Sequence, residues 1–202
     1  MIKGIKICGI SDIDTLNYII KHKRSPKFVG FISNYKKSKR YVNFDTLTKL
    51  TSVSKNNVKF VSVLVNPTNV DLEKINKLPI DYFQLYDVNP ERTLLIKNKY
   101  KKKIISALTI ETSEDVKKYV KYQNISDIIL FDSKGYEISM GFDHSLLKNI
   151  PNNFEKMIAG NINFQNIPIL GNMDYFIDLS GSLENGDGKK DLQKIDNFLN
   201  SI

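Results

Sequence analysis

Short apolar runs rich in β-branched residues recur along the chain, and polar stretches with helical spacing separate them. Continuous runs of this kind, unlike alternating ones, are typical of parallel strands that are covered on both faces. Eight segments are therefore predicted as strands, at residues 2–8, 28–33, 58–65, 82–85, 103–108, 127–131, 156–159 and 175–179. The pattern predicts a parallel sheet with helices packed against its faces.

The stretches between these predicted strands carry helix signals. Thr112 and Asp115 form a capping-box pattern ahead of an apolar stripe. Amphipathic helices are also predicted over residues 43–50, 69–78 and 191–202. The seventh connection, at residues 163–170, is a weak helix because it is short and Pro168 interrupts it.

Strands and helices that alternate in this way match a known barrel architecture. Eight strands in 202 residues leave about 25 residues for each strand and its helix, near the lower size limit of a (β/α)8 barrel. With no linker or composition break, we predict an α/β fold, a single (β/α)8 TIM barrel over residues 1–202. An open doubly wound sheet is the alternative, but no Gly-x-Gly-x-x-Gly turn follows the first strand.

Composition narrows the classes of function. Lys and Arg outnumber Asp and Glu by 30 to 22, which raises the question of a polyanionic partner. Only three of these cations are arginines, the residue type suited to bidentate phosphate and base recognition, so we expect no nucleic-acid partner. No apolar run approaches the ~20 residues of a membrane span, and the N-terminus has no signal-peptide profile. Together with a single cysteine, this predicts a cytoplasmic protein without membrane contact or internal disulfide.

Two residues at predicted strand ends suggest proton-transfer chemistry. Cys8 ends the first strand and precedes Gly9, which favours a turn that exposes the thiol, although a lone cysteine is often a small buried hydrophobe. Asp132 follows the sixth strand, and the next predicted helix begins about ten residues later, so helix capping does not explain it. In a barrel both would face one mouth, where a thiol and a carboxyl group can act as an acid/base pair.

Metal chemistry finds no support in the sequence. His22 lies within the first predicted helix and His144 starts the sixth, and we expect both on the surface. No group of Cys, His, Asp and Glu residues has ligand spacing, so a metal site is not expected.

Small residues follow the last two predicted strands. These turns are Ala159-Gly160-Asn161 and Ser180-Gly181-Ser182. They could be plain turns, but many barrels hold a phosphate group in the loops after strands seven and eight. Their position therefore favours an anion site.

Several short motifs, in a fixed order along nearly the whole chain, give a family resemblance. They are Lys6-Ile-Cys-Gly-Ile10, Lys37-Ser-Lys-Arg-Tyr-Val42, Gln84-Leu85, Leu130-Phe-Asp132, Ala159-Gly160, Asp178-Leu-Ser180 and Gly188-Lys-Lys-Asp191. On these motifs the sequence resembles the phosphoribosylanthranilate isomerase family, (β/α)8 enzymes of tryptophan biosynthesis that use no cofactor and no metal.

The resemblance implies an activity and a set of site residues. The reaction would be the Amadori rearrangement of N-(5-phosphoribosyl)anthranilate, with Asp132 as general acid and Cys8 as general base. Arg40 would bind the anthranilate carboxylate, which suits its fork geometry. Further substrate contacts would come from Gln84, Asp178 and the two turns, Ala159-Gly160-Asn161 and Ser180-Gly181-Ser182, with the turns holding the phosphate. The expected partner is a phosphorylated small molecule, and the expected assembly is a monomer or homodimer.

Three departures from the family pattern leave an alternative open. Tyr86 and Asp87 stand where the family commonly has His and Gly, and Ser182 stands where it favours Gly. The loop at residues 133–141 is about three residues shorter than usual and less rich in glycine. The alternative is a catalytically altered or inactive barrel that binds another sugar phosphate or a protein partner.

Overall fold

Eight parallel strands close into a barrel in the computed structural model, which describes residues 2–134, 141–163 and 174–201. Each strand pairs with its neighbours in sequence, and the last strand returns to the first. The strands are β1 (Ile2–Cys8), β2 (Phe28–Ile32), β3 (Lys59–Val65), β4 (Tyr82–Tyr86), β5 (Lys103–Ile110), β6 (Ile128–Ser133), β7 (Lys156–Ile158) and β8 (Tyr175–Leu179). The predicted α/β barrel is confirmed, and the open doubly wound sheet is wrong.

The described residues contain six α-helices, which follow strands along the chain. They are α1 (Ile13–Lys21), α2 (Phe44–Thr51), α3 (Asn69–Asn76), α4 (Pro90–Tyr100), α5 (Ser113–Lys117) and α6 (Leu192–Ser201). The first five begin after a polar residue whose side chain accepts a backbone N–H of the first turn: Asp12, Asn43, Thr68, Asn89 and Thr112. The predicted capping box of Thr112 and Asp115 is present. None of the helices in the described ranges is long and apolar enough to cross a bilayer.

Some predicted boundaries differ from the structure by a few residues. The largest change is at β5 and β6, where Thr109 pairs with Asp132 and Ile110 pairs with Ser133. Asp132 therefore lies inside β6 rather than in the loop that follows it. Because successive side chains of a strand point to opposite faces, this places the carboxyl group on the same face as Leu130, inside the barrel.

The connection after β6 corrects the interpretation of His144. A 3₁₀ turn, His144–Leu147, replaces the predicted sixth helix. His144 is buried rather than on the surface, because its ring packs against Phe142 and its Nε2 lies 3.2 Å from the Ala159 carbonyl. His22 is also more buried than expected, at the C-cap of α1 with Nε2 3.2 Å from an oxygen of Asp196. The weak helix predicted at residues 163–170 lies, apart from its first residue, outside the described residues.

Strand alternation separates an outer core from an inner one. Outward residues such as Ile7 and Phe83 are fully buried between the strands and the helices. Inside the barrel, the ring of Phe28 meets those of Tyr82 and Phe176 edge to face, with centroids 5.4 and 5.2 Å apart. Nearer the carboxyl-terminal ends of the strands, polar side chains replace these rings. The apolar base of the barrel thus supports a polar mouth.

Candidate active site

A cavity of about 370 Å³ opens at the carboxyl-terminal end of the barrel. Small-molecule sites commonly occupy ~300–1,000 Å³ and lie at this end of the fold. Its lining includes every site residue that was predicted from the sequence: Cys8, Arg40, Gln84, Asp132, Ala159, Gly160, Asn161, Asp178, Ser180, Gly181 and Ser182. Closure of the barrel therefore brings together residues from the two ends of the chain.

Asp132 is a carboxyl group with two fixed hydrogen-bond donors. Tyr86 donates its hydroxyl to Oδ2 at 2.7 Å, and the backbone N–H of Ser133 donates to Oδ1 at 2.8 Å. Burial raises the pKa of Asp132 to about 6; the bond from Tyr86 opposes this rise, and the nearby Asp178 adds to it. At pH 7 a carboxyl group with this pKa still holds its proton in roughly a tenth of the molecules.

Tyr86 links Asp132 to a second polar residue of β4. Gln84 donates from Nε2 to the Tyr86 hydroxyl at 3.2 Å, so the hydroxyl accepts one hydrogen bond and gives its own proton to Asp132. The Oε1 atom of Gln84 is buried and has no hydrogen-bond partner among the described residues. Burial, followed by the charge of Asp132, raises the pKa of Tyr86 well above its usual value. Tyr86 therefore stays neutral and acts as a hydrogen-bond donor to Asp132.

Cys8 is the only thiol of the chain and lies at the inner wall of the cavity. Its side chain points into the barrel, and the residue is only 8 % exposed. Burial raises the pKa of the Cys8 thiol, while the nearby Lys6 ammonium acts in the opposite direction. The thiol is thus accessible from the cavity but surrounded by protein on its other sides.

Lys6 and Asp178 form a buried ion pair below Cys8, with Nζ 2.7 Å from Oδ2. Lys6 is fully buried, and no role was predicted for it from the sequence although it lies two residues before Cys8. Residues two apart on a strand lie on the same face, so the sequence spacing of Lys6 and Cys8 already indicated that both side chains point into the barrel. Asp178, predicted as a substrate contact, is held by Lys6 through one oxygen, and within the described part of the chain its Oδ1 has no hydrogen-bond partner.

Arg40 lies across the turn after β1, where it forms a two-point ion pair. Its Nε and Nη2 donate to Glu184 at 2.5 and 2.9 Å, while Lys190 and Lys39 approach the same carboxylate at 2.7 and 3.6 Å. Burial disfavours the charge of Glu184, but Arg40 and Lys190 hold its pKa down at about 2. A β-carbon at Gly9 would lie 2.6 Å from Cδ of Arg40. Only glycine at position 9 therefore leaves room for the arginine side chain.

One carboxylate shared by three cations leaves this side of the cavity positively charged. The guanidinium has five N–H donors, and the pair with Glu184 uses Nε and one terminal nitrogen. An incoming carboxylate can therefore bind at the other edge of Arg40. Glu184 and Lys190 received no role from the sequence, since only the folded chain shows that they contact Arg40 or each other.

The turns after β7 and β8 form the remaining wall. Gly160 and Asn161 both have left-handed backbone conformations, with φ of 86° and 56°. A β-carbon at Gly160 would lie 3.1–3.2 Å from Phe142 and Ser133, so the turn packs closely against the adjacent loop. The Ser180 hydroxyl donates to the Cys8 carbonyl at 3.1 Å, which ties the second turn to β1. Turns of this kind form concavities lined by backbone N–H groups that bind anions.

The described lining of this cavity shows no metal centre. Over residues 2–134, 141–163 and 174–201, no group of three His, Cys, Asp or Glu side chains is arranged to hold a metal ion. The described polar groups instead offer a carboxylic acid, a thiol and several fixed cations. This arrangement suits the binding of an anionic molecule and the transfer of protons to and from it.

Comparison with solved structures supports the fold. The phosphoribosylanthranilate isomerase of Thermotoga maritima superposes with a TM-score of 0.82 at 23% identity, covering 98% of this chain and 97% of the other. A phosphoribosylanthranilate isomerase solved in complex with reduced 1-(o-carboxyphenylamino)-1-deoxyribulose 5-phosphate gives the same TM-score, identity and coverage.

Sequence comparison identifies the family. A family model described as N-(5'-phosphoribosyl)anthranilate (PRA) isomerase matches residues 5–201. The N-(5'-phosphoribosyl)anthranilate isomerases of Rhizobium rhizogenes and Agrobacterium fabrum are 34% and 32% identical to this chain. Each alignment covers 98% of the chain and more than nine-tenths of the relative, at 93% and 94%. The chain therefore belongs to the N-(5'-phosphoribosyl)anthranilate isomerase family.

Proposed function

We propose that the chain converts N-(5'-phosphoribosyl)anthranilate to 1-(o-carboxyphenylamino)-1-deoxyribulose 5-phosphate by an Amadori rearrangement. The observation that carries this proposal is that Asp132 and Cys8 line one cavity, together with cations and with turns suited to binding an anion. Such a rearrangement needs one group that gives a proton to the sugar and another that removes a proton from it. It needs no hydride transfer, so the chain's own side chains are sufficient.

Asp132 is assigned the first proton transfer. In its protonated form it donates to the ring oxygen of the ribose, the C1–O bond breaks, and the nitrogen lone pair forms a C1=N iminium bond. Its pKa of about 6 leaves part of the population protonated near neutral pH, which an ordinary surface aspartate does not achieve. The hydrogen bonds from Tyr86 and Ser133 fix the orientation of the carboxyl group for this step.

Cys8 is assigned the second proton transfer. Its thiolate removes the proton from C2, and the electron pair of that C–H bond forms a C1=C2 double bond that neutralises the iminium. The resulting enolamine then tautomerises to the ketone product. The Lys6 ammonium lies beside the thiol, so a positive charge is in place for the thiolate form.

The charged ends of the substrate are assigned to separate groups of residues around the mouth. Arg40, backed by Glu184 and Lys190, is assigned the anthranilate carboxylate. The turns around Gly160 and Gly181 are assigned the phosphate. This division places the reacting C1 and C2 atoms between the two ends, where Cys8 and Asp132 face the cavity.

The same proposal includes the domain organisation, cellular location and assembly of the enzyme. Residues 1–202 form a single catalytic domain that acts in the cytoplasm as a monomer or homodimer, without a cofactor, a nucleic-acid partner or a membrane. Among the solved structures, one concerns monomers generated from the dimeric isomerase of Thermotoga maritima. Sedimentation equilibrium over a range of protein concentrations distinguishes a monomer from a dimer.

We expect the purified chain to turn over freshly prepared N-(5'-phosphoribosyl)anthranilate. The measurement follows the loss of the fluorescence of the anthranilate derivative, and chromatography identifies the carboxyphenylamino-deoxyribulose phosphate product. The reaction should proceed unchanged after dialysis against a chelator. Absence of turnover in a folded protein would leave an inactive barrel that binds another sugar phosphate or a protein.

Replacing Arg40 by Gln is expected to raise KM by roughly 10–100-fold with a smaller change in kcat. The reason is that charged hydrogen bonds to a carboxylate are worth ~1.5–3 kcal/mol, and this contact is made before and during the reaction. Steady-state fluorescence kinetics provide both constants. Arg24→Gln is the matched control, because Arg24 is exposed in the connection between α1 and β2 at the opposite end of the barrel. An unchanged KM in the Arg40 variant would remove Arg40 from the substrate site.

A further inference from the structure

A buried lysine inside the barrel has no part in the proton transfers described above. Lys6 and Cys8 are two residues apart on β1, so both side chains point into the barrel. Lys6 has no solvent exposure. Ammonium groups are almost never fully buried without a partner, because burial costs the charge its hydration. The surroundings of Lys6 therefore have to account for its charge.

Asp178 supplies the counter-charge from the neighbouring strand. Lys6 and Asp178 are directly paired in the register of β1 and β8, and Nζ lies 2.7 Å from Oδ2. Burial opposes the charge of Lys6, but Asp178 and then Cys8 outweigh it, so the pKa of Lys6 is raised and the group stays an ammonium. A buried ion pair contributes little stability compared with apolar residues of the same size. Stability alone is thus a weak reason for placing this pair beneath the cavity.

Gly30 on the other neighbouring strand makes room for the thiol and the ammonium to meet. Gly30 is paired with Cys8 in the register of β1 and β2. A β-carbon at Gly30 would lie 2.8 Å from Sγ of Cys8 and 3.1 Å from Nζ of Lys6. Both polar atoms therefore occupy the space that any other residue would fill. Cys8, after Asp178, contributes to the raised pKa of Lys6, so the thiol and the ammonium are close enough to interact electrostatically.

We propose that Lys6 is a positioning residue that acts through Cys8, because its ammonium, anchored by Asp178, orients the thiol and stabilises the thiolate that removes the C2 proton. The proposal rests on the proposed function, since it presupposes that Cys8 is the base. Lys6 itself neither contacts the sugar nor changes its protonation state. The thiolate gains the proton from C2, and the Lys6–Asp178 pair keeps its net charge of zero throughout.

The single cysteine makes this coupling measurable without substrate. The rate at which iodoacetamide alkylates Cys8, followed as a function of pH by peptide mass spectrometry, reports on this thiol alone, since the chain has one cysteine. In Lys6→Met the thiol pKa should rise by about 1–3 units, the usual effect of removing an opposite charge at this range. Alkylation at a fixed pH of about 8 should slow by roughly tenfold or more. The kcat/KM for isomerisation should fall by a similar factor, while KM changes little.

Two further variants keep the test decisive. Lys6→Met leaves Asp178 as an unpaired buried charge, so Lys6→Met/Asp178→Asn removes both charges together and preserves the neutral balance of the core. The thiol of the double variant should still titrate at a higher pH than in wild type, because the Lys6 ammonium lowers the pKa of Cys8 more than the Asp178 carboxylate raises it. Lys3→Met is the matched control, an exposed lysine on the same strand that pairs with Glu155, and it should titrate like wild type.

The outcomes separate this proposal from the proposed function. An active wild type whose thiol titration is unchanged in both Lys6 variants would overturn the role of Lys6 and leave the isomerase assignment intact. A shifted titration in the variants, together with a wild type that shows no turnover, would overturn the isomerase assignment while retaining the coupling between Lys6 and Cys8. A shifted titration with a matching loss of kcat/KM supports both.

Discussion

Replacing Asp132 by Asn is expected to lower kcat by roughly 10³-fold, within the range that a positioned general acid contributes. Asparagine keeps the shape of the side chain and can keep the contacts with Tyr86 and Ser133, but it has no proton to give to the ring oxygen. Because proton donation occurs in the transition state, kcat and kcat/KM should fall together. Steady-state fluorescence kinetics on the purified variant measure both.

The pH profile of kcat/KM gives the same prediction a second signature. Below a pH of about 6 Asp132 holds its proton, so kcat/KM rises with pH as the thiolate of Cys8 becomes more populated. Between that pKa and the raised pKa of Cys8, loss of the acid's proton cancels the gain in thiolate and produces a plateau. Above the pKa of Cys8 the profile falls. In Asp132→Asn the residual kcat/KM should rise straight through pH 6, whereas a remaining break there would contradict the role of Asp132.

Two further measurements distinguish the loss of an acid from unfolding of the protein: the stability of Asp132→Asn and the activity of a second variant, Tyr86→Phe. The folded pKa of Asp132 is raised from 3.8 to about 6, so its contribution to stability is lost as pH rises through this interval and stays lost above it. The free energy of unfolding of Asp132→Asn at pH 8 should therefore be about 1–3 kcal/mol higher than that of wild type, measured by denaturant unfolding. Tyr86→Phe removes a donor to Oδ2 but leaves the acid, so it should retain turnover and move the break near pH 6 upward.

Local and periodic signals were enough to predict the barrel. Buried strands appear in the sequence as apolar runs because both of their faces are covered, and the runs ending at Cys8 and Leu179 match their strands. The capping box of Thr112 and Asp115 is a short-range pattern and was equally visible. Once the strand order was known, the rule that barrel sites lie at the strands' carboxyl-terminal ends placed Cys8 and Asp132 at one mouth.

The ion pairs of the site could not be predicted from local or periodic patterns. Lys6 meets Asp178 across 172 positions, and Arg40 meets Glu184 across 144, so neither pair has a sequence spacing to detect. Charged residues in a sequence are expected at the surface, which hides a lysine that the barrel buries completely. His144 was misplaced for a related reason, since its burial depends on a carbonyl of β7's following turn, at Ala159.

These long-range pairs explain how one small cavity holds an acid and a base together. Asp132 lies in surroundings that keep a proton on a carboxyl group, and Cys8 lies beside a cation that favours loss of a proton from a thiol. The form with both groups correctly protonated is a minor one on the plateau, and its fraction is set by the difference between the two pKa values. A change that lowers the pKa of Cys8 or raises that of Asp132 therefore increases the competent fraction.

Cys8→Ser is expected to lower kcat by at least roughly 10³-fold, because a serine hydroxyl ionises far above the pH range in which a thiol does. The change is small in volume and keeps a polar atom beside Lys6 in the space above Gly30, so the fold should survive. Circular dichroism and denaturant unfolding check that survival, and fluorescence kinetics measure turnover. Iodoacetamide provides an independent measurement, since incorporation of one label per chain should abolish the activity of wild type.

The other carboxylates of the described cavity lining are poor substitutes for this base. Asp178 is engaged by the buried ammonium of Lys6, and its proton affinity is tied to that pair. Glu184 is held by Arg40 and has a pKa of about 2, so it is too weak a base to remove a carbon-bound proton efficiently. If Cys8→Ser nevertheless kept more than a tenth of the wild-type kcat, a group other than these would have to take the C2 proton, and the assignment of Cys8 would be wrong.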